Sequence, residues 1–409
     1  GVGVCLPIIM VISAFAALMA FGGAPRASIA EGRGDLKESE RIMGNSFTML
    51  VAVSVVLTVV FLVFAEPMLR IFGASDNTIG YALNYMRIYA LGTIFVQVTL
   101  GMNAYITAQG FTVVGMKTVL IGAILNTVLD PIFIFVFRMG VAGAAWATVI
   151  GQLLSFLMAL NYARCFRHIH LQPHHFGYRL REWGQIASLG MSNSLNQVAI
   201  TFVQIVLNNS LTFYGAQSEY GSSIPLAACG IVIKTNAILL SIIIGISQGS
   251  QPIVGFNYGA KQYARVRGIY KLAISCNLVV SAIGFVLFQV FPRQIISIFG
   301  TGDVLYFEFA VRFMRIFLFM VLVNGVQLIS SNFFAAIGKP IKGVILSLTR
   351  QVFFLVPLLL ILPLFMGIDG ILFAGPIADG VAFVTTTILI RREMNHIRQL
   401  EQQATQGNS

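Results

Sequence analysis

Asn126-Thr127-Val128-Leu129-Asp130-Pro131 lies inside the apolar run from Lys117 to Phe137, and Thr148 follows eighteen residues after the aspartate. A carboxylate at that depth in a bilayer is expensive and is seldom kept without a role. Asn126 precedes Asp130 by one helical turn, so both project from one face. Proline beside the acid is expected to break the helix locally and turn its freed carbonyls toward a cavity. Counted from the ends of their spans, Asp130 and Thr148 each lie about eight residues in, roughly 12 Å, and share one depth. Carboxylate, amide and hydroxyl oxygens are hard ligands that suit a Na+-like ion, and a carboxylate alone suffices to carry a proton. The competing reading is a hydrogen-bonded tie between two helices with no ion.

The surrounding chain explains why depth matters. Its 409 residues are 57% hydrophobic and only 10% charged, against about one quarter charged in a soluble domain. The fold class is an all-α polytopic membrane protein. The net charge of +11 does not mark a nucleic-acid surface, because the bases are spread among the connections between apolar segments. Eleven spans are expected, near 1–24, 46–65, 83–108, 117–138, 140–163, 184–213, 226–250, 270–291, 306–336, 341–363 and 369–390. Alternate connections are base-rich, and the positive-inside rule places them, with the C-terminus, in the cytoplasm. Residues 25–43 and 252–271 are equivalent base-rich connections. They read either as short amphipathic helices on the membrane surface or as solvated loops.

An internal repeat organises the spans. Ile71-Phe72-Gly73 with Asp76 recurs as Ile298-Phe299-Gly300 with Asp303, an offset of 227 residues. The same offset relates Gly3 to Gly230, Pro25 to Pro252, Gly32 to Gly259, Gly140 to Gly367 and Ala147 to Ala374. Met86-Arg87-Ile88 recurs one residue later, as Met314-Arg315-Ile316. Agreement of unrelated glycines on one offset is the mark of a duplication. The expected domains are an N-terminal lobe, 1–163, a cytoplasmic linker, 164–182, a C-terminal lobe, 183–391, and a cytoplasmic tail, 392–409. The second lobe shows six spans and the first five, so an intact twelve-span protein is expected, with its first helix in roughly 44 residues preceding Gly1.

Other polar residues are candidates for a substrate cavity: Asn103, Asn193, Asn196, Gln197, Lys234, Arg350 and Asp379. Lys234 and Asp379 stand at similar depths, so a pair between them is expected, as a structural tie or as a gating or substrate contact. The linker histidines His168, His170, His174 and His175 read as part of a solvated hinge rather than a metal site, since no Cys or carboxylate accompanies them. Cys5, Cys165, Cys229 and Cys276 show no paired or metal-ligand spacing. No cofactor and no resident metal are expected, and the spans carry no paired carboxylates, zinc motif or Ser/His arrangement of an enzyme.

At this point the chain resembles the MATE family, the multidrug and toxic compound extrusion transporters, in a MepA-like bacterial branch. The resemblance rests on Asn126-x-x-x-Asp130-Pro131 followed by Gly140-x-x-Gly143-Ala144-Ala145-x-Ala147-Thr148. It rests also on Gln251-Pro252-x-x-Gly255-x-Asn257-Tyr258-Gly259-Ala260. It implies two six-helix bundles around a central cavity opening alternately to either side. It implies export of bulky organic cations against inward H+ or Na+, with the coupling ion at Asp130, Asn126 and Thr148 and with Asn103 near the cavity. The family also places an aspartate in its first helix, so the site is expected to be incomplete in this chain. The expected partners are small organic compounds and the lipid bilayer of a bacterial inner membrane, with a monomeric protein and no nucleic acid. A second reading keeps the fold but makes the cargo lipid-linked or anionic, because Lys234 and Arg350 are buried bases.

Overall fold

In lipid a backbone closes its hydrogen bonds within its own segment, and every element of this chain is helical. The computed structural model describes residues 5–71, 78–164, 180–300 and 302–406, without the side chains of 6–7, 192–193 and 404–406. The linker histidines and Cys165 fall outside the described residues. The first helices are α1 (Leu6–Gly32), α2 (Leu36–Val63), α3 (Ala65–Ile71), α4 (Ile79–Leu91) and α5 (Thr93–Ala108). Next come α6 (Thr112–Pro131), a π-helical turn (Ile132–Val136), α7 (Gly140–Arg164) and α8 (Leu180–Ala216). Then follow α9 (Ser223–Gly259), α10 (Tyr263–Val290), α11 (Pro292–Phe299), α12 (Val304–Phe317) and α13 (Val321–Ala336). The chain ends with α14 (Pro340–Leu348), a second π-helical segment (Thr349–Leu355), α15 (Val356–Met366) and α16 (Ile368–Gln406).

Among the described residues, nine helices are long and apolar enough to cross a membrane. The pairs α4–α5 and α12–α13, bent by 52° and 50°, bring the number to eleven if each counts as one broken span. The protein is a multi-pass membrane protein. Its chain divides into two compact units, Gly1–Ser194 and Leu195–Ser409, so the division falls inside α8.

The repeat reappears in the backbone. Left-handed positions occur at Gly34 (φ 82°) and Lys261 (φ 58°), at Gly110 (86°) and Gly338 (76°), and at Gly140 (57°) and Gly367 (60°). Each pair stands at the repeat offset or one residue beyond it. Lys261 is notable because a side chain rarely adopts this conformation outside glycine.

Two expectations are corrected here. The stretches 25–43 and 252–271 do not form separate surface helices. α1 runs through Pro25 to Gly32 and α2 starts at Leu36, while α9 runs through Pro252 to Gly259 and α10 starts at Tyr263. Each proline sits at a helical φ and gives up one backbone bond, which a membrane helix tolerates. A three-residue turn then reverses the chain, and Asp35 caps α2 by accepting from the Glu38 amide at 2.9 Å. Pro131 likewise does not break its span. It ends α6 at φ −61° and the chain continues in the wider π-helical turn.

Candidate functional site

The coupling residues expected from sequence lie wholly in the first unit, on the hairpin of α6 and α7. Asn126 and Asp130 are one turn apart on α6, and Asn126 Nδ2 reaches Asp130 Oδ1 at 3.4 Å. The same amide nitrogen reaches Thr148 Oγ1 on α7 at 3.1 Å. Thr148 in turn donates to the Ala144 carbonyl at 2.9 Å. An amide nitrogen has two protons, and here it has two acceptors, which fixes the amide orientation. The Asn126 carbonyl oxygen is thereby left as an acceptor beside the carboxylate. All three residues are half-buried. The arrangement can hold a proton on Asp130 or offer hard oxygens to a small cation.

The two helices approach closely because Gly122 and Gly151 face each other. A Cβ on Gly151 would stand 2.7 Å from the Gly122 carbonyl oxygen, and one on Gly122 would meet Ser155 Oγ at 2.2 Å. Close approach lets side chains as short as Asn126 and Thr148 meet.

Sequence reasoning missed Tyr85. On α4, this buried residue shares a hydrogen bond with Thr148 and lies within electrostatic reach of Asp130. Its ring stacks on Tyr89, with centroids 6.0 Å apart and planes at 13°. Tyr89 Oη accepts from Gln152 Nε2 at 3.4 Å. Tyr85 and Tyr89 are one turn apart, as are Thr148 and Gln152, so α4 and α7 are joined by two polar rungs. The available signal was that matching spacing of four.

Asn103 is not part of this cluster. Its side-chain oxygen accepts from Thr118 at 2.9 Å, a tie between α5 and α6. Thr118 lies two turns before Asn126, roughly 12 Å along α6. The repeat-equivalent residue, Ser331, plays the same part between α13 and α14, bonding Gly343 O at 2.8 Å and Ser347 Oγ at 2.9 Å.

In the second unit, the expected pair of Lys234 and Asp379 is overturned. Asp379, 5% exposed, accepts from Arg350 Nε at 2.5 Å. Arg350 belongs to the π-helical segment Thr349–Leu355, which packs against α16. The turn's wider radius directs the guanidinium sideways into α16, and burial favours a partner that cancels the charge. Lys234 is exposed on α9 and has no ion pair among the described residues. Asn196 is half-buried and Gln197 exposed on α8. Asn193 is helical, and its side chain lies outside the described residues. Among the described residues, no three of His, Cys, Asp and Glu gather as a metal site.

Comparison with known proteins gives three findings. A family model described as MatE matches residues 1–132 and 193–361. Multidrug export protein MepA of Staphylococcus haemolyticus is 25% identical over 390 residues, covering 95% of this chain and 84% of that protein. Its counterpart in Staphylococcus aureus strain N315 is 22% identical over the same shares. A solved structure of MATE in the bent conformation has a TM-score of 0.90 at 20% identity, covering 98% of this chain and 88% of the other. An outward-facing multidrug resistance MATE transporter has a TM-score of 0.89 at 20% identity.

Proposed function

This chain belongs to the MatE family, and from that premise we propose that it is a secondary antiporter exporting hydrophobic, often cationic organic compounds against H+ or Na+ by alternating access. The observation that carries the reading is the contact of Asn126 with both Asp130 and Thr148 at bilayer depth. The MepA relatives, named for multidrug export, support the cargo class. Asp130 takes up H+ or Na+ in one state and gives it up as cargo binds. Coupling requires that its affinity differ between the two states. Release or capture of the shared Asn126 amide supplies such a difference without moving the carboxylate.

The protein is placed in the bacterial inner membrane as a monomer, with lobes 1–163 and 183–391, a linker at 164–182 and a C-terminal tail from residue 392 on the cytoplasmic side. The bases of alternate connections support that orientation. No enzymatic step is needed.

The test is efflux of a fluorescent cation from proteoliposomes under separate pH and sodium gradients. The gradient that drives efflux identifies the ion. Asp130→Asn is expected to abolish gradient-driven efflux, and undiminished efflux by that variant refutes the assignment. The alternative of a lipid-linked or anionic cargo now draws on Lys234 alone, because Arg350 is neutralised by Asp379. Vesicles supplied with a lipid-linked cargo separate the two readings.

A further inference from the structure

We propose that Lys234 is a specificity-determining residue that admits cargo bearing a carboxylate or other anionic group on an apolar body. The inference rests on the export reading above and narrows its substrate class. Lys234 lies eleven residues into α9, roughly 16 Å along its axis. It is exposed, while Val232, Thr235, Leu239 and Ile243 of the same helix are buried in the core of the second unit.

The helix face that carries Lys234 holds no bulky side chain along its line. Ala227, Gly230, Ala237, Ser241 and Gly245 follow one another at spacings of three and four around it. A Cβ placed on Gly230 or Gly245 would meet nothing within 4 Å. The ammonium therefore stands on an open strip of α9, free of steric cover from its own helix.

Charge balance supplies the chemistry. Four charged residues lie deep in spans: Asp130, Lys234, Arg350 and Asp379. Arg350 and Asp379 cancel each other in direct contact. With Asp130 ionised, the four sum to zero. With Asp130 loaded by a cation, Lys234 is the uncompensated charge. An uncompensated ammonium in a poorly hydrated setting attracts an anion strongly and repels a monocation. A transporter built only for monocations gains nothing from such a lysine. One that carries amphiphiles with an anionic group gains a contact that is stronger than the same contact in water.

The experiment uses two matched dyes in proteoliposomes of the full protein. Rhodamine 123 is a cationic methyl ester, and rhodamine 110 is the same ring system with a free carboxylic acid. Wild type is expected to move both. Lys234→Met is expected to lose rhodamine 110 efflux at least about tenfold and to keep or improve rhodamine 123 efflux, which also reports that the variant is folded. Lys234→Arg should retain the acid. Lys234→Gln repeats the test if the methionine variant fails to fold. An acid-to-ester ratio unchanged in the neutral variants, or no acid transport by wild type, overturns the inference and leaves the export reading intact. Failure of wild type to move either dye under any gradient overturns the export reading itself.

Discussion

Arg350 Nε donates to Asp379 Oδ1 at 2.5 Å, and the position equivalent to Asp379 in the first half is occupied by Gln152. The same place in the fold therefore holds a charged pair in one half and a neutral rung to Tyr89 in the other. Removing one partner of a buried pair costs more than removing both, because the orphaned charge stays desolvated. Arg350→Met or Asp379→Leu alone is expected to lower stability by about 3 kcal/mol. The double variant should recover most of the loss. Thermal melting in detergent, arranged as a double-mutant cycle, measures it. Additive losses would show that the pair is not an energetic unit.

Gly190 and Gly22 mark a backbone-to-backbone crossing of α8 and α1 within the first unit. A Cβ on Gly190 would stand 1.7 Å from the Leu18 carbonyl oxygen, and one on Gly22 would stand 1.9 Å from that of Ile186. The obstacle is backbone, which cannot rotate away. Gly190→Ala or Gly22→Ala should force the helices apart and cost about 1–3 kcal/mol or more. Gly80→Ala on α4, with nothing within 4 Å, is the control. Yield and melting temperature after size exclusion separate the two classes.

Glu182, near the start of α8, is clamped by Arg26 at 3.3 Å and Arg41 at 3.2 Å. Its side chain is 11% exposed and that of Arg41 is 37% exposed, so the second contact is partly screened by water. Glu182→Gln is expected to cost about 1–2 kcal/mol. Adding Arg26→Gln should cost less than the sum of the two changes. Melting curves of the single and double variants decide this, and strict additivity would argue against the clamp.

Thr148 is the acceptor that joins α7 to Asn126 and Tyr85. On the export reading, Thr148→Val removes that acceptor while keeping shape, and should slow gradient-driven efflux about tenfold. Thr148→Ser should retain most of the rate. Equal rates in the valine and serine variants would remove Thr148 from the coupling machinery.

Much of the site was legible from spacing alone. Asn126 and Asp130 meet because four residues make one helical turn, and Thr148 meets them because α6 and α7 form a hairpin whose depths can be counted. Tyr85 was not legible, because its role depends on how the bent pair α4–α5 sets α4 against α7. The fate of Pro131 also depended on packing: its ring satisfied the helical φ, and the following turn widened instead of ending.

Sequence by itself determined the membrane class, the spans, the duplication and the shared face of Asn126 and Asp130. These follow from composition, from the period of the helix and from a fixed offset, all of which covalent spacing dictates. Only the tertiary structure decided that Asp379 takes Arg350 and leaves Lys234 exposed, that Asn103 ties α5 to α6, and that the base-rich turns are three residues long. Those outcomes depend on how far each helix is rotated about its axis by its neighbours. Packing of small residues such as Gly122, Gly151 and Gly190 sets that rotation, and residue spacing along one chain does not encode it.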